Sequence, residues 1–326
     1  MANTMSNQKE QASPDICIPE LWHGKRYYSL DAYFKNTLGG KLNKIAIDAG
    51  FTCPNRDGTL DTKGCIFCSE GGSGDFAVPF SSIEAAGPYI AYFQSYTGTY
   101  APASRLEQVF GQALDNPKVA GISIATRPDC LPEEVLTLLG RLKASYPHKF
   151  IWIELGLQTI HEQTALYIRR GYALKRFSRA VYELDTLHIP VIVHVILGLP
   201  GESESMMLET VEYLSSLPVF GIKLQLLHVL RGTDLAADYE KGLFSTLTME
   251  EYLHILISCM EHLSPDIVIH RVTGDGPKEL LLAPLWSTEK KKVLNALHHQ
   301  MKLQNSYQGK YWKGSISHAA GTSDTL

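Results

Sequence analysis

The sequence predicts an α/β fold of repeated strand–helix units, arranged as a full or partial barrel, with a doubly wound sheet as the alternative. Three observations lead there. Short β-rich runs recur at fairly even spacing, amphipathic stretches of helical period lie between most of them, and turn-forming or polar residues follow the strands. Alternating strand and helix implies a parallel sheet with right-handed crossovers.

The predicted strands span 44–47, 89–93, 119–125, 150–155, 191–197, 222–227 and 267–272. Helical patterns are clearest at 133–144, 173–187 and 205–217. Pro132 sits where a first helical turn would start, and Glu133 and Glu134 suit the positive end of a helix. Pro190 precedes a strand, and Pro218 closes the helix that ends at Leu217. The chain divides into an N-terminal extension (1–40), a barrel (41–275), a helical and basic C-terminal extension (276–313) and a small, polar, disordered tail (314–326).

The 326 residues are 44% hydrophobic and 20% charged, which suits a folded globular chain. A net charge of −4 excludes a uniformly basic nucleic-acid binder and leaves room for a local basic patch. No apolar run approaches the ~18–20 residues of a membrane span. The polar N-terminus MANTMSNQKEQASPD lacks an apolar signal core, so a cytoplasmic location is expected.

Six cysteines are too sparse for a disulfide scaffold and fit a reducing setting. Cys17, Cys130 and Cys259 read as small buried hydrophobes. The other three form Cys53-x11-Cys65-x2-Cys68, in a Gly- and Asp-rich loop directly after the first predicted strand. That is where a barrel places its chemistry. A redox dithiol would leave Cys53 idle. A structural zinc site wants a fourth ligand, which this segment lacks. Chance clustering is the bland alternative. A three-cysteine iron–sulfur site leaves one iron open to a cofactor or substrate.

Further polar groups follow the other strands: Gln94 to Tyr100, Thr126-Arg127-Pro128-Asp129, Glu154, Gly156 and Gln158 in IELGLQT, the turn Gly198-Leu199-Pro200-Gly201-Glu202, Gln225 and His228, and His270 to Pro277. Each is weak alone, but one rim of one barrel would receive them all. His194 alternates with apolar neighbours in VIVHVIL and reads as a hydrogen-bonded interior histidine rather than a ligand.

The cysteine loop, Phe67 within Cys65-Ile66-Phe67-Cys68, ELGLQT and GLPGE together resemble the radical SAM superfamily. The long first spacer resembles its Elp3-like side and, more closely, the YhcC/YtqA (MnmL) group. The stretches WHGKRYYSLDAYFKNTLGGKLNKIAIDAGFTCPNRDG, YFQSYTGTYAP, ATRPDCL and GDGPKELLLAPLW carry that likeness from about residue 21 to 312. The resemblance implies a partial (β/α)6-type TIM barrel. It also implies that Cys53, Cys65 and Cys68 ligate a [4Fe–4S] cluster whose fourth iron chelates S-adenosylmethionine. Phe67 would lie near the adenine. Thr97 and Gly98 stand at the strand-two motif for the methionine amino group, although the usual GGE letters are missing. Glu154 and Gln158 would face the ribose, and Gly198 and Glu202 would belong to the adenine-side turn. Thr126 and Arg127 would contact ribose or carboxylate. The implied chemistry is one-electron cleavage of S-adenosylmethionine to a 5′-deoxyadenosyl radical, which removes hydrogen from an unactivated carbon.

The group resemblance also implies tRNA modification at the wobble uridine, from 5-carboxymethylaminomethyl-uridine to 5-aminomethyl-uridine. A partner methyltransferase would follow, and flavodoxin or ferredoxin would supply electrons. His228, Arg271, Asp275 and Lys278 are the candidate substrate residues, a guanidinium being well suited to a carboxylate. Arg169, Arg170, Lys175, Arg176, Lys291, Lys292, Tyr311 and Trp312 are candidate RNA contacts, because basic groups interleaved with aromatics suit backbone contact and base stacking. Two alternatives remain at this point: the same radical chemistry on a peptide or small metabolite, and a non-catalytic, zinc-stabilised binding module.

Overall fold

Parallel strands covered on both faces read as continuous apolar runs, and such runs build the sheet here. It comprises β1 (Asn43–Asp48), β2 (Val78–Pro79), β3 (Tyr89–Phe93), β4 (Val119–Thr126), β5 (Phe150–Gln158), β6 (Val191–Leu197), β7 (Gly221–Leu226) and β9 (Val268–Arg271). Their order is β2-β1-β3-β4-β5-β6-β7-β9, every pair parallel. The computed structural model describes residues 18–85, 87–274 and 276–314; Cys17, Asp275 and the expected tail beyond Gly314 lie outside them.

The predicted barrel strands are β1, β3, β4, β5, β6, β7 and β9. The sheet is a partial barrel: the order is linear and its end strands β2 and β9 do not pair. Two features were not expected. One is the two-residue β2. The other is a small antiparallel pair outside the sheet, β8 (Val229–Leu230) with β10 (Leu281–Ala283).

The helices are α1 (Leu30–Leu38), α2 (Ala103–Asp115), α3 (Glu133–Ser145), α4 (Glu162–Tyr167), α5 (Leu174–Thr186), α6 (Glu204–Ser215), α7 (Asp234–Glu240), α8 (Met249–His262) and α9 (Lys290–Leu303). Their starts follow local capping chemistry. The Ser29 and Ser203 side chains accept from Ala32 N and Met206 N. Thr248 and Glu251 form a reciprocal capping box on α8. Buried leucines, isoleucines and valines of helices and strands form a main core, flanked by two smaller buried clusters.

The N-terminal ends of the strands are plugged. Phe34 of α1 stacks on Trp152 near the start of β5, with ring centroids 5.8 Å apart, and Tyr33 meets Phe220 edge-on. Gln308 ties the chain ends beneath this plug: its Oε1 accepts from Tyr28 N, and its Nε2 donates to the carbonyls of Ser264 and Ile267. The sheet is therefore accessible from the C-terminal ends of its strands, where the cysteine loop lies.

Candidate active site

The cysteine loop leaves β1 after Asp48 and is fixed by backbone bonds. Arg56 N donates to Cys53 O at 2.8 Å, Cys68 N to Cys65 O at 3.0 Å and Gly64 N to Asn55 O at 2.7 Å. Arg56 then clamps the far side, donating from Nη2 to the carbonyls of Cys68 and Ser69. Ile66 anchors the middle: its N–H donates to Ile168 O and its carbonyl accepts from Leu235 N. Asn55 Nδ2 donates to Arg169 O at 2.7 Å and lies 3.5 Å from Cys65 Sγ. The loop is thus docked against the ends of α4 and α7 rather than free.

Three cavities meet above the sheet. The first, about 140 Å³, holds Cys53, Cys65, Cys68, Thr97, Arg127 and Gln158 in its wall. The second, about 460 Å³, shares Phe67, Ser73, Gln94 and His194 with the first and adds Lys44, Arg271 and Lys290. The third, about 320 Å³, opens off the second at Phe76 and His228.

Burial pushes the Cys65 thiol up to about 12, with Cys68 and Cys53 adding to the effect, and it also raises Cys68. These thiols carry protons that a bound metal must displace.

Beneath the first two cavities lies a buried charge centre. Glu154 accepts from Lys44 Nζ at 2.5 Å, Ser123 Oγ at 2.6 Å, His194 Nε2 at 2.7 Å and from Lys223 Nζ. Lys223 also donates to the Tyr92 hydroxyl at 3.0 Å. Strand register assembles this centre: Ala125 pairs with Glu154, and His194 with Lys223. Burial alone would raise the Glu154 carboxyl, but Lys223 and Lys44 hold it well below its usual range. Burial lowers His194 to about 4, so its Nε2–H donates to the carboxylate as a neutral ring. The interior reading of His194 is borne out by this bond.

The candidate cofactor residues fall into two groups. Phe67, Thr97, Thr126, Arg127, Glu154 and Gln158 line the first cavity with the cysteines. Gln158 has a left-handed φ of 64° beside a register shift in the β5–β6 pairing, a backbone irregularity of the kind found at functional sites. Arg127 is forked onto Asp129 through Nε and Nη2, at 3.0 and 2.8 Å. Gly98 supports Thr97 from behind, its N–H donating to Ala125 O at 2.8 Å.

Three expected positions are corrected by the geometry. Glu154 is in the wall, yet its oxygens are already engaged by two lysines, a serine and a histidine, so it acts as a buried counter-ion rather than a free ribose acceptor. Gly198 packs toward Leu247, and Glu202 is half-buried, its Oε1 without a hydrogen-bond partner among the described residues; neither lines the cysteine cavity.

Among the substrate candidates, His228 and Arg271 line the second cavity and Lys278 the third, while Asp275 lies outside the described residues. Among the RNA candidates, Lys175, Lys291 and Lys292 are exposed. Arg169 pairs with Asp234 at 2.5 Å, and Arg176 bonds Glu183 and Leu131 O. Arg170 is a correction: its guanidinium is buried, donating to the carbonyls of Thr159 and Tyr172, and it shapes the cysteine cavity from inside. Tyr311 and Trp312 are a second correction. They sit beside Ser215 and His262, at the C-terminal ends of α6 and α8, on the opposite end of the sheet from the cysteines.

Sequence reasoning missed Lys44, Tyr92 and Lys223. A lysine within an apolar strand run, as in GIKLQL, was the available signal.

A model of the Radical SAM superfamily matches residues 62–214, and a model of the Radical_SAM C-terminal domain matches residues 219–303. The chain belongs to the radical SAM superfamily. Within it, the chain is 42% identical to YtqA of Bacillus subtilis, over 89% of this chain and 94% of that protein. It is 34% identical to YhcC of Escherichia coli K12, over 84% and 93%. A more distant likeness, 25% identity over 51% of this chain and 30% of the relative, links it to Elongator complex protein 3 of Danio rerio. Among solved structures, the Elp3 protein of Methanocaldococcus infernus superposes with a TM-score of 0.58 at 16% identity, covering 69% of this chain and 56% of that one, a likeness of fold.

The cofactors of this enzyme are therefore a [4Fe–4S] cluster and S-adenosylmethionine, and the donor set fits them. Three thiols, those of Cys53, Cys65 and Cys68, open on one cavity. A cluster spreads its thiolates over different irons; a mononuclear zinc site would gather them. The zinc-stabilised binding module is set aside by family membership. Cys53, Cys65 and Cys68 would hold the cluster, and with S-adenosylmethionine it supplies one-electron chemistry able to break an unactivated carbon–hydrogen bond. The chain's own part is to seal and orient. Arg56 and Asn55 fix the loop, and Tyr172 and the Arg127–Asp129 pair wall one side. Phe67 stands between the cysteine cavity and the next.

Proposed function

We propose that this radical SAM enzyme modifies tRNA, converting 5-carboxymethylaminomethyl-uridine at the wobble position to 5-aminomethyl-uridine. The observation that carries this reading is the second cavity. It adjoins the cysteine cavity and carries Arg271 and Lys290 in its wall, together with Asp75 and with Lys44, which Glu154 holds. Such a wall suits a substrate whose reacting end bears a carboxylate. Around the mouth, Lys175, Arg176 and Arg169 stand after β5, and Lys278, Lys291 and Lys292 stand near the start of α9. In this reading they follow a phosphate backbone while one base leaves its stack and enters. The aminomethyl product would pass to a partner methyltransferase, a flavodoxin or ferredoxin would supply electrons, and a tRNA substrate places the enzyme in the cytoplasm.

The test is mass spectrometry of tRNA nucleosides from cells with and without the gene. Loss of aminomethyl-type wobble uridines with accumulation of the carboxymethylaminomethyl form is expected. Unchanged wobble uridines would sink the RNA reading and move the search to peptides and small metabolites.

A further inference from the structure

The third cavity, about 320 Å³, is large enough for a small ligand and takes no part in holding the cysteines. It shares Phe76, His228 and Lys290 with the second cavity, and its outer wall adds Lys278, Ser287 and Thr288. Phe76 is 62% exposed, unusual for a phenyl ring that lines two cavities. His228 is wedged beneath two glycines: a Cβ at Gly274 or Gly276 would come within 2.7 or 2.9 Å of its ring. Its Nε2 is buried and has no hydrogen-bond partner among the described residues. An aromatic face, two ammonium groups and an unmet imidazole nitrogen together match the parts of a nucleotide: a flat base, a phosphate and a polar base edge. A simple anion would not need the exposed ring, and an apolar ligand would not need the lysines.

We propose that this cavity is a second nucleotide subsite, taking the RNA nucleotide next to the target. Its base stacks on Phe76, its edge meets His228 Nε2, and its phosphate lies against Lys278 and Lys290. The inference rests on the RNA reading above and extends it. The serial order of the cavities agrees with it: the cysteines line the first, the second adjoins that one, and the third opens off the second.

The test uses the reconstituted full-length enzyme and anticodon stem-loop RNAs that carry the target uridine, with an abasic site placed at either neighbour. For the wild type, one abasic neighbour raises KM about tenfold, the size of a lost stacking contact, with kcat changed less than about twofold. In Phe76→Ala, the intact RNA shows that higher KM and the abasic site adds nothing; Phe76→Trp behaves as wild type. Equal KM for intact and abasic RNAs in the wild type, or penalties that simply add in Phe76→Ala, would overturn the subsite while leaving tRNA as substrate. Failure of the wild type to bind or convert the intact stem-loop would overturn both readings.

Discussion

Lys223 donates to Glu154 at the centre of the barrel, and neither side chain reaches solvent. Lys44 meets the same carboxylate from the cavity side. Two ammonium groups thus depend on one buried anion. Glu154→Gln is expected to destabilise the protein by about 3–5 kcal/mol, because it leaves buried positive charge uncompensated. Urea unfolding measures this. Glu154→Gln combined with Lys223→Met should recover part of the loss, and a double variant no more stable than the single one would count against the pairing.

The cysteine assignment separates cleanly from folding. Cys53→Ser, Cys65→Ser and Cys68→Ser should each lose most iron and acid-labile sulfide after anaerobic reconstitution. Cys259→Ser, whose thiol is buried in the helix core, should keep both. Because burial raises the Cys65 thiol to about 12 and raises Cys68, reconstitution should release protons and slow as pH falls. Full iron content in Cys65→Ser would refute the ligand set.

Stability should fall on the acid side. Burial lowers His194 and His228 to about 4 in the folded chain, against about 6.5 when free. Between those values the unfolded chain binds more protons, so stability is full above pH ~6.5 and is lost as pH drops toward ~4. Each histidine contributes at most about 3 kcal/mol over that window. Melting temperature against pH should show this limb, and His228→Gln should flatten it; an unchanged slope would remove His228 from the account.

Gly98→Ala tests the loop after β3. A Cβ there would lie 2.8 Å from Ala125 O and 2.9 Å from Ile124 Cγ2, and a strand carbonyl cannot swing aside cheaply. A loss of about 1–3 kcal/mol is expected. Weaker binding of S-adenosylmethionine to the reconstituted protein should accompany it, since Thr97 would shift from the cysteine cavity. Calorimetric titration measures the second effect; unaltered affinity would place Thr97 outside the binding site.

Much of this was legible in the sequence because apolar strand runs, prolines and the cysteine spacing are local signals. β8 and β10 were not, since two or three residues carry no readable period. Lys44 and Lys223 were missed because a lysine in a strand gives no sign of its partner; only the register of β1, β3, β5, β6 and β7 brings them to Glu154. Arg169 and Arg170 read as one basic pair, yet Arg169 adopts a left-handed φ of 56° at the end of α4, and the next guanidinium turns inward. Tyr311 and Trp312 looked like stacking platforms by composition. Their location beneath the sheet follows from the path of α9, which starts at the mouth and runs down to its opposite end.

The end strands β2 and β9 do not pair with each other, although Ser29 bridges β9 at Ile269, and this incomplete ring bears on the shape of the substrate proposed above. A fully closed ring of strands admits what can be lowered in from above, a free end or a compact molecule. A ring with a missing segment has a slot, and a slot can take a cord by its middle. A polymer can lie across such a slot with both arms outside while one unit dips within, without being cut, threaded or unravelled.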